Sequence, residues 1–483
     1  MDGADFGGSP GHGKGDSVKL LSCIAAMLFL WLAPPALPAQ GDDPAGRAFQ
    51  RDLLRELVEI DTTAAFGSTR AAEAMAARFR AAGFPASDIT LAGPSPNKQN
   101  LVVRLRGKGS AKPILLIGHL DVVDAPRDGW AAGLDPFRLT ERDGFFYGRG
   151  VLDMKSGVAA LVDAIIRLRG EGFVPSRDIV AALTADEEGG NANGVSWLVA
   201  NRRDWIDAAY CLNLDAGGGQ IEKGRRVRMT VQTSEKTNVS FRARTRSEGG
   251  HSSLPVKENA IYQLASGLAR LSGRDLPFRF NQTTRAYFER MAALETGPLA
   301  ADMRAVAKDP PDLAAAARLA AGSPYFNAIM RTTCVATRIE GGHADNALPQ
   351  TASAVVNCRL FPGDSVEFVR DSLTEILADP GIAVSAIVPG RPAPASALLP
   401  EVMEAVEKLT QEMWPGMPVF PVMDPWASDS LSLRRAGFAA FGVSGLFGEL
   451  DFGNAHGANE RLPVDAYYQS VEFLHRLVKM LAQ

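Results

Sequence analysis

A chain of 483 residues, 46% of them hydrophobic, is too long for one ordinary core and predicts two or more domains. Basic and acidic residues nearly balance, 51 against 55, for a net charge of −4. No basic stripe interleaved with aromatics runs along the chain, which argues against nucleic acid as a partner.

The N-terminus reads as an address. A glycine-rich lead with Lys14 and Lys19 precedes an apolar run over 20–33 and a small-residue exit. Residues 1–39 are therefore expected to be a lead and secretory signal peptide cleaved after Ala39, for a secreted or periplasmic protein. The run is too short to span a bilayer comfortably, so the processed chain is not expected to be an integral membrane protein. Cys23 lies inside the signal, leaving Cys211, Cys334 and Cys358. That odd remainder argues against a disulfide framework and leaves a Cys334–Cys358 bridge open.

Apolar positions at three- and four-residue spacing predict helices over 45–60 and 69–82. The short apolar runs "LVVRL", "PILLIG", "DIVAALTA" and "AAYCLNL" then alternate with helices near 155–169 and 193–201. This alternation predicts an α/β fold with a mostly parallel central sheet flanked by helices. After Asp215 the pattern changes. "RVRMTVQT" and "TNVSFRART" read as a hairpin, followed by a helix over 257–272 and an Ala- and charge-rich helical stretch over 283–321. "TTCVATRIE" and "TASAVVNCRLF" add two strands, and 364–378 another helix. The α/β character returns near Ala393 with the helix "LLPEVMEAVEKLTQEMW", the strands "PVFPVM" and "GFAAFGVSG" and a closing helix over 464–481. The expected layout is a parent domain in two parts, 45–222 and 393–483, with an inserted α+β lid or dimerisation domain at 223–392. The joints "GGGQIEKG" and "PGRPAPAS" mark where the insert leaves and rejoins.

The apolar runs end in metal-binding residue types. "PILLIG" runs into His119, "AALTA" into Asp186, Glu187 and Glu188, and "CLNL" into Asp215. Asp153 lies in the glycine-rich turn "YGRGVLDMKSG", and His456 in "AHGANERLP" after the last strand. Singly, each has a plain structural explanation, such as a helix cap for Asp153 or a solvated turn for the acidic triplet. Parallel strands, however, bring their carboxyl ends to one crevice. Two imidazoles and several carboxylates gathered there need a cation between them. Their N/O mix suits zinc, with cobalt or manganese as lesser options. Five ligands are too many for one open catalytic zinc and fit two metals about 3.5–4 Å apart with a bridging water. Asp121, two residues after His119, is expected to fix that histidine's tautomer.

"GHLDVV", "GRGVLDMKSG", "TADEEGG", "LNLDAGG" and "HGANERLP", in that order, resemble the co-catalytic zinc deacylases and exopeptidases. That family includes acetylornithine deacetylase, succinyl-diaminopimelate desuccinylase, aminoacylase and bacterial glutamate carboxypeptidase. The resemblance runs from about residue 45 to the end. It implies two zinc ions per subunit, with Asp153 bridging, His119 and Asp215 completing one site and Glu188 and His456 the other. Glu187 becomes the general base. It further implies a homodimer in which His251 of "SEGGHSSLP" crosses to the partner's site and supports the oxyanion. Asn346 of "GGHADNALP" is then a substrate contact, with His343 beside it, and Arg359 of "VNCRLFPGD" a clamp on the substrate carboxylate. Ser428 and Asp429 resemble a substrate-side loop near the second metal.

The implied activity is hydrolysis of the amide bond in N-acyl amino acids or small peptides bearing a free carboxylate. An aminopeptidase with a similar dinuclear site is the near alternative, but Arg359 and the insert argue against it. A periplasmic solute-binding protein is the alternative from another class, since signal, length and two-part layout also suit it. Metal content separates the two classes.

Overall fold

The computed structural model describes residues 43–483 apart from Gly190, Pro389, Gly390, Leu450 and Asp451. The signal segment expected over 1–39 lies outside the described residues. No described helix is long and apolar enough to cross a membrane.

A ten-stranded mixed sheet forms the centre of the parent domain. Its middle is parallel, as the alternating pattern predicts: Ile179–Thr184, Ile114–His119, Tyr210–Asn213 and Ala440–Gly442 lie side by side. All six residues of Ile114–His119 and of Ile179–Thr184 are buried, the mark of strands covered on both faces. The outer strands mix directions: Lys98–Leu105 runs antiparallel to Ile179–Thr184, and Arg225–Glu235 antiparallel to Ala440–Gly442. Helices Pro44–Glu59, Thr69–Ala81, Lys155–Gly170 and Val464–Leu481 pack Leu53, Leu57, Phe79, Leu161 and Leu474 into one core against the sheet.

The insert holds a four-stranded antiparallel sheet in the order Thr333–Gly341, Thr351–Leu360, Thr237–Arg246, Ala383–Ala386. Alternate residues of Thr237–Arg246 are buried, and one face packs on helices Ala260–Ser272 and Val366–Leu377 through Val239, Phe241, Leu264 and Leu373. Cys334 and Cys358 sit opposite one another in register and are bridged, which closes the question left by the cysteine count. Cys211 is free and buried.

Two expectations are corrected. Arg225–Glu235 and Thr237–Arg246 do not form a hairpin: the first lies in the central sheet and pairs with Val419–Asp424, and the second lies in the insert sheet. The chain thus passes between sheets at Lys236 rather than at 223. The misleading feature is polarity. Thr230, Gln232, Thr233, Ser234 and Glu235 are all buried, held by hydrogen bonds such as Gln232 to Asp424 and Thr233 to Thr283. Second, the helical addition, observed as Gln282–Leu294, Gly297–Ala307, Leu313–Gly322 and Pro324–Ile329, docks on the parent domain. Tyr287, Phe288 and Met303 share a core with Phe420, Val422 and Met423 of the central sheet.

Candidate metal centre

The parallel register sets the centre. His119 ends its strand directly beside Thr184, and Asp215 follows Tyr210–Asn213 on the other side. Asp153 comes from the turn before helix Lys155–Gly170, and His456 from the loop before Arg461–Pro463. Two groups of donors result: His119, Asp153 and Asp215, and Asp153, Glu188 and His456. His119 Nε2 lies 3.1 Å from Asp153 Oδ1 and 3.6 Å from Asp215 Oδ1. His456 Nε2 lies 3.0 Å from Asp153 Oδ2 and 2.9 Å from Glu188 Oε1. Asp153 offers one oxygen to each group. The structure therefore brings together all five ligands expected from sequence.

The donor chemistry fits a pair of cations. His119 Nδ1 lies 3.0 Å from the backbone carbonyl of Asp121, which can only accept, so Nδ1 carries a proton. In the neutral ring Nε2 then holds a lone pair, aimed at two carboxylate oxygens. Around the other group, His456 Nε2 has at most one proton, and Asp153 accepts it. Glu188 Oε1 stays buried without a hydrogen bond. Electron pairs converging on one point in a buried site are what a divalent ion satisfies.

The same groups hold protons tightly, as a cluster of donors short of positive charge does. Burial and the Asp153 charge push the Asp215 carboxyl up to about 7. Burial also works against ionised Asp153, yet hydrogen bonds with His119 and His456 outweigh it and hold that carboxyl well below its usual range. The neighbouring carboxylates of Asp153 and Glu188 lift His456 to about 10. Burial opposes charge on His119, while Asp153 and Asp215 raise its pKa well above the ordinary value.

Asp121 does more than was expected of it. Its backbone oxygen sets the His119 tautomer, while its carboxylate lies 3.7 Å from that ring and accepts instead from the backbone N–H of Glu187 (3.1 Å) and Glu188 (3.0 Å). The residue fixes one ligand and the turn carrying another. The Glu187 carboxylate has no hydrogen-bond partner among the described residues, and burial pushes it well above the carboxylate range, with His119 opposing that rise and Asp215 adding to it.

Sequence reasoning missed a buried clip. Glu460 is fully buried and accepts from the N–H groups of Gly150, Leu152 and Asp153 and from Arg149 Nη1 at 2.7 Å. Arg149 Nη2 in turn donates to the carbonyls of His456 and Gly457 at 3.2 and 3.0 Å. One ion pair thereby fixes the aspartate common to both groups and the distant histidine. The only signal was two opposite charges inside the motifs "YGRG" and "HGANE".

Ser428 and Asp429 do not stand open to a substrate. Both are buried; Ser428 donates to Glu235, and Asp429 accepts from Thr184 (3.1 Å) and Asn193 (2.6 Å). The charges that Asp429 feels are those of His119, in the first metal group, and of Asp121, which supports it.

The expected substrate residues lie on the insert. Arg359 is half-buried on Thr351–Leu360, opposite Asn238 and Thr333 and next to the Lys236 junction. His251 and Asn346 are exposed and belong to neither metal group. His251 lies in a small two-stranded sheet that Asn346 flanks, and Ser252 N–H donates to the Asn346 carbonyl. That sheet follows the far end of Thr237–Arg246, about 33 Å along the strand from the junction. His343 is exposed nearby.

Comparisons with known proteins agree with this geometry. The model of Peptidase family M20/M25/M40 matches residues 115–480. Human N-fatty-acyl-amino acid synthase/hydrolase PM20D1 is 30% identical over 384 residues, 77% of this chain and 74% of that protein. Succinyl-diaminopimelate desuccinylase from Delftia acidovorans is 34% identical over 209 residues, 41% of this chain and 51% of its own. The M20 family metallo-carboxypeptidase Sso-CP2 from Sulfolobus solfataricus superposes with a TM-score of 0.66 at 17% identity, covering 90% of this chain and 99% of that one. A solute-binding protein, the reading from another class, accounts for neither the paired donor groups nor these matches. The chain belongs to Peptidase family M20/M25/M40 and is a metallohydrolase.

Proposed function

We propose that this protein hydrolyses the amide bond of N-acyl amino acids or small peptides that keep a free carboxylate, using two zinc ions. The observation carrying the reading is the pairing of two donor groups through Asp153 with a free carboxylate, Glu187, one residue from a ligand. A bound metal pair lowers the pKa of water toward 7 and polarises the scissile carbonyl. Glu187 accepts the proton of the attacking water and returns it to the departing nitrogen; Asp121 keeps its backbone in place for both transfers. Arg359 has no hydrogen-bond or ion-pair partner among the described residues, so its planar fork is free for a carboxylate. The names of relatives, an N-fatty-acyl-amino acid hydrolase and a desuccinylase, support an acylated amino acid over a free amine.

Zinc is preferred over cobalt or manganese by ligand type. Export to an oxidising compartment is supported by the Cys334–Cys358 bridge. A homodimer is supported by the edge strand Thr333–Gly341, whose Ile339 is exposed on the side of Ile261 and Tyr262 of the adjoining helix and whose Val335 is exposed on the other face. His251, remote from its own junction, then serves the partner's site.

The test is a panel of N-acetyl, N-succinyl and N-fatty-acyl amino acids and dipeptides, each as free acid and as amide, assayed on zinc-loaded protein. Cleavage confined to free acids is expected; indifference to amidation removes the carboxylate from the reading. For the dimer, mixing inactive His251→Ala with inactive His456→Ala is expected to recover about a quarter of wild-type activity through mixed pairs. Recovery of nothing argues for a site complete in one chain.

A further inference from the structure

The insert sheet packs helices on one face only. Its other face carries a row of cations. Arg242, Arg244 and Arg246 are alternate residues of one strand, all exposed and pointing the same way. Opposite them stand Val355, Ser353 and Thr351 on one neighbouring strand, with Ser385 and Ala383 facing Arg242 and Arg244 on the other. None of these is acidic. Among the described residues none of the three arginines has a hydrogen bond or ion pair, whereas Arg338, on the same face, is paired with Glu340. Arg359 belongs to this face as well, at the junction end, opposite Asn238.

The register sets the spacing. Successive arginines are about 7 Å apart, and the row begins about 14 Å from Arg359 and ends about 27 Å from it. Three like charges in line repel one another, and Glu340, the acid in register on this face, is already paired with Arg338. An array of this kind raises the concentration of anions over the face and leads them along it toward Arg359. We propose that the row Arg242–Arg244–Arg246 is an electrostatic track that recruits anionic substrates, favouring those with a second negative charge beyond the α-carboxylate. This rests on the reading of Arg359 as the carboxylate clamp.

The track predicts a dependence on charge and salt that the clamp alone does not. Screened Coulomb attraction over 14–27 Å matters near 0.01 M ionic strength, where the Debye length is about 30 Å, and fades at 0.15 M, where it is about 8 Å. The experiment compares wild type with the triple variant Arg242→Gln/Arg244→Gln/Arg246→Gln, with N-acetylleucine and N-acetylglutamate as probes. At 0.01 M salt the variant is expected to raise KM about two-fold for the monoanion and about three- to four-fold for the dianion, with kcat unchanged. At 0.15 M salt the two proteins are expected to converge. Equal KM and equal salt dependence in both proteins overturns the track while leaving the functional reading intact. Calorimetric binding of the same probes is read in parallel. If neither is cleaved but both bind with the charge- and salt-dependence described, the functional reading fails and the track stands. Sedimentation with phosphatidylserine vesicles that the variant loses, with KM unaltered, makes the row a lipid-docking surface and overturns the proposal.

Discussion

The two halves of the machinery are built in opposite ways. At the metal centre the ligand-bearing loops are pinned by a buried group from elsewhere: Glu460 holds Asp153, Arg149 holds His456, and Asp121 holds His119 and Glu188. On the insert, the side chains assigned to recognition are little supported: among the described residues the Arg359 guanidinium is unpaired, and the His251 ring bonds only its neighbour Ser253. The difference teaches where precision is required. Ligands converging on a cation pair must be held to a fraction of an ångström, so their supports are buried and prebuilt. Recognition groups gain by waiting, because a substrate carboxylate or a second subunit completes them.

The strongest test of that division is Glu187→Gln. It removes the proton carrier and leaves every support in place, so kcat should fall by about 10²–10⁴ while zinc content stays at wild-type level by elemental analysis. Activity near wild type would take Glu187 out of the chemistry. Next comes Glu460→Ala, which breaks a buried ion pair and orphans three backbone N–H groups. A loss of about 3–5 kcal/mol in folding stability is expected, with zinc per chain reduced. If the destabilised protein still binds its full zinc complement with unchanged affinity, the clip supports the fold alone. Arg359→Ala should do the reverse of both. Loss of a charge-assisted bond predicts a KM rise of about ten- to a hundred-fold for free-acid substrates, with normal metal content and thermal midpoint. A fall in metal binding instead would erase the contrast between the two halves.

The ligands were readable in the sequence because apolar runs announce their strands, and parallel strands deliver whatever follows them to one place. His119, Glu188 and Asp215 each sit just past such a run. What could not be read were buried polar groups. Gln232 and Glu235 occupy a central strand but look like surface, because the partners that satisfy them, Asp424 and Arg434, are about two hundred residues away. Glu460 was invisible for the same reason, its clip partner Arg149 lying three hundred residues upstream. Asp121 shows a different limit. Its spacing revealed that it would serve His119, but not that the backbone oxygen would do so while the carboxylate served the next turn. The docking of Gln282–Leu294 on the parent domain was likewise unreadable, since an amphipathic face does not name the surface it covers.

Asp163 sharpens the contrast within the parent domain itself. It lies on Lys155–Gly170, the helix that follows Asp153, and is 1% exposed, yet it supports no ligand. One of its oxygens has no hydrogen bond; the other accepts only a long one from Gln50 (3.4 Å) and lies 3.5 Å from Arg167. Burial pushes this carboxyl up to about 6 against the pull of Arg167. A raised pKa means that the folded state prefers the protonated acid. Its contribution to stability is complete below the unfolded value near 4 and is lost as pH rises through about 6. Above pH 6 the ion is buried at a net cost of up to about 3 kcal/mol, with the pull of Arg167 already included. Asp163→Asn keeps an oxygen for Gln50 and removes the charge, and Arg167 retains Glu472. The variant should be more stable than wild type by about 1–3 kcal/mol at pH 8, with about half of that advantage left at pH 5. Thermal midpoints at the two pH values measure this. A gain that persists unchanged at pH 5 would mean that packing, not charge, was relieved. A loss at pH 8 would mean that Arg167 already satisfies Asp163 as fully as Arg149 satisfies Glu460, and that buried acids in this domain are supported whether or not they hold a ligand in place.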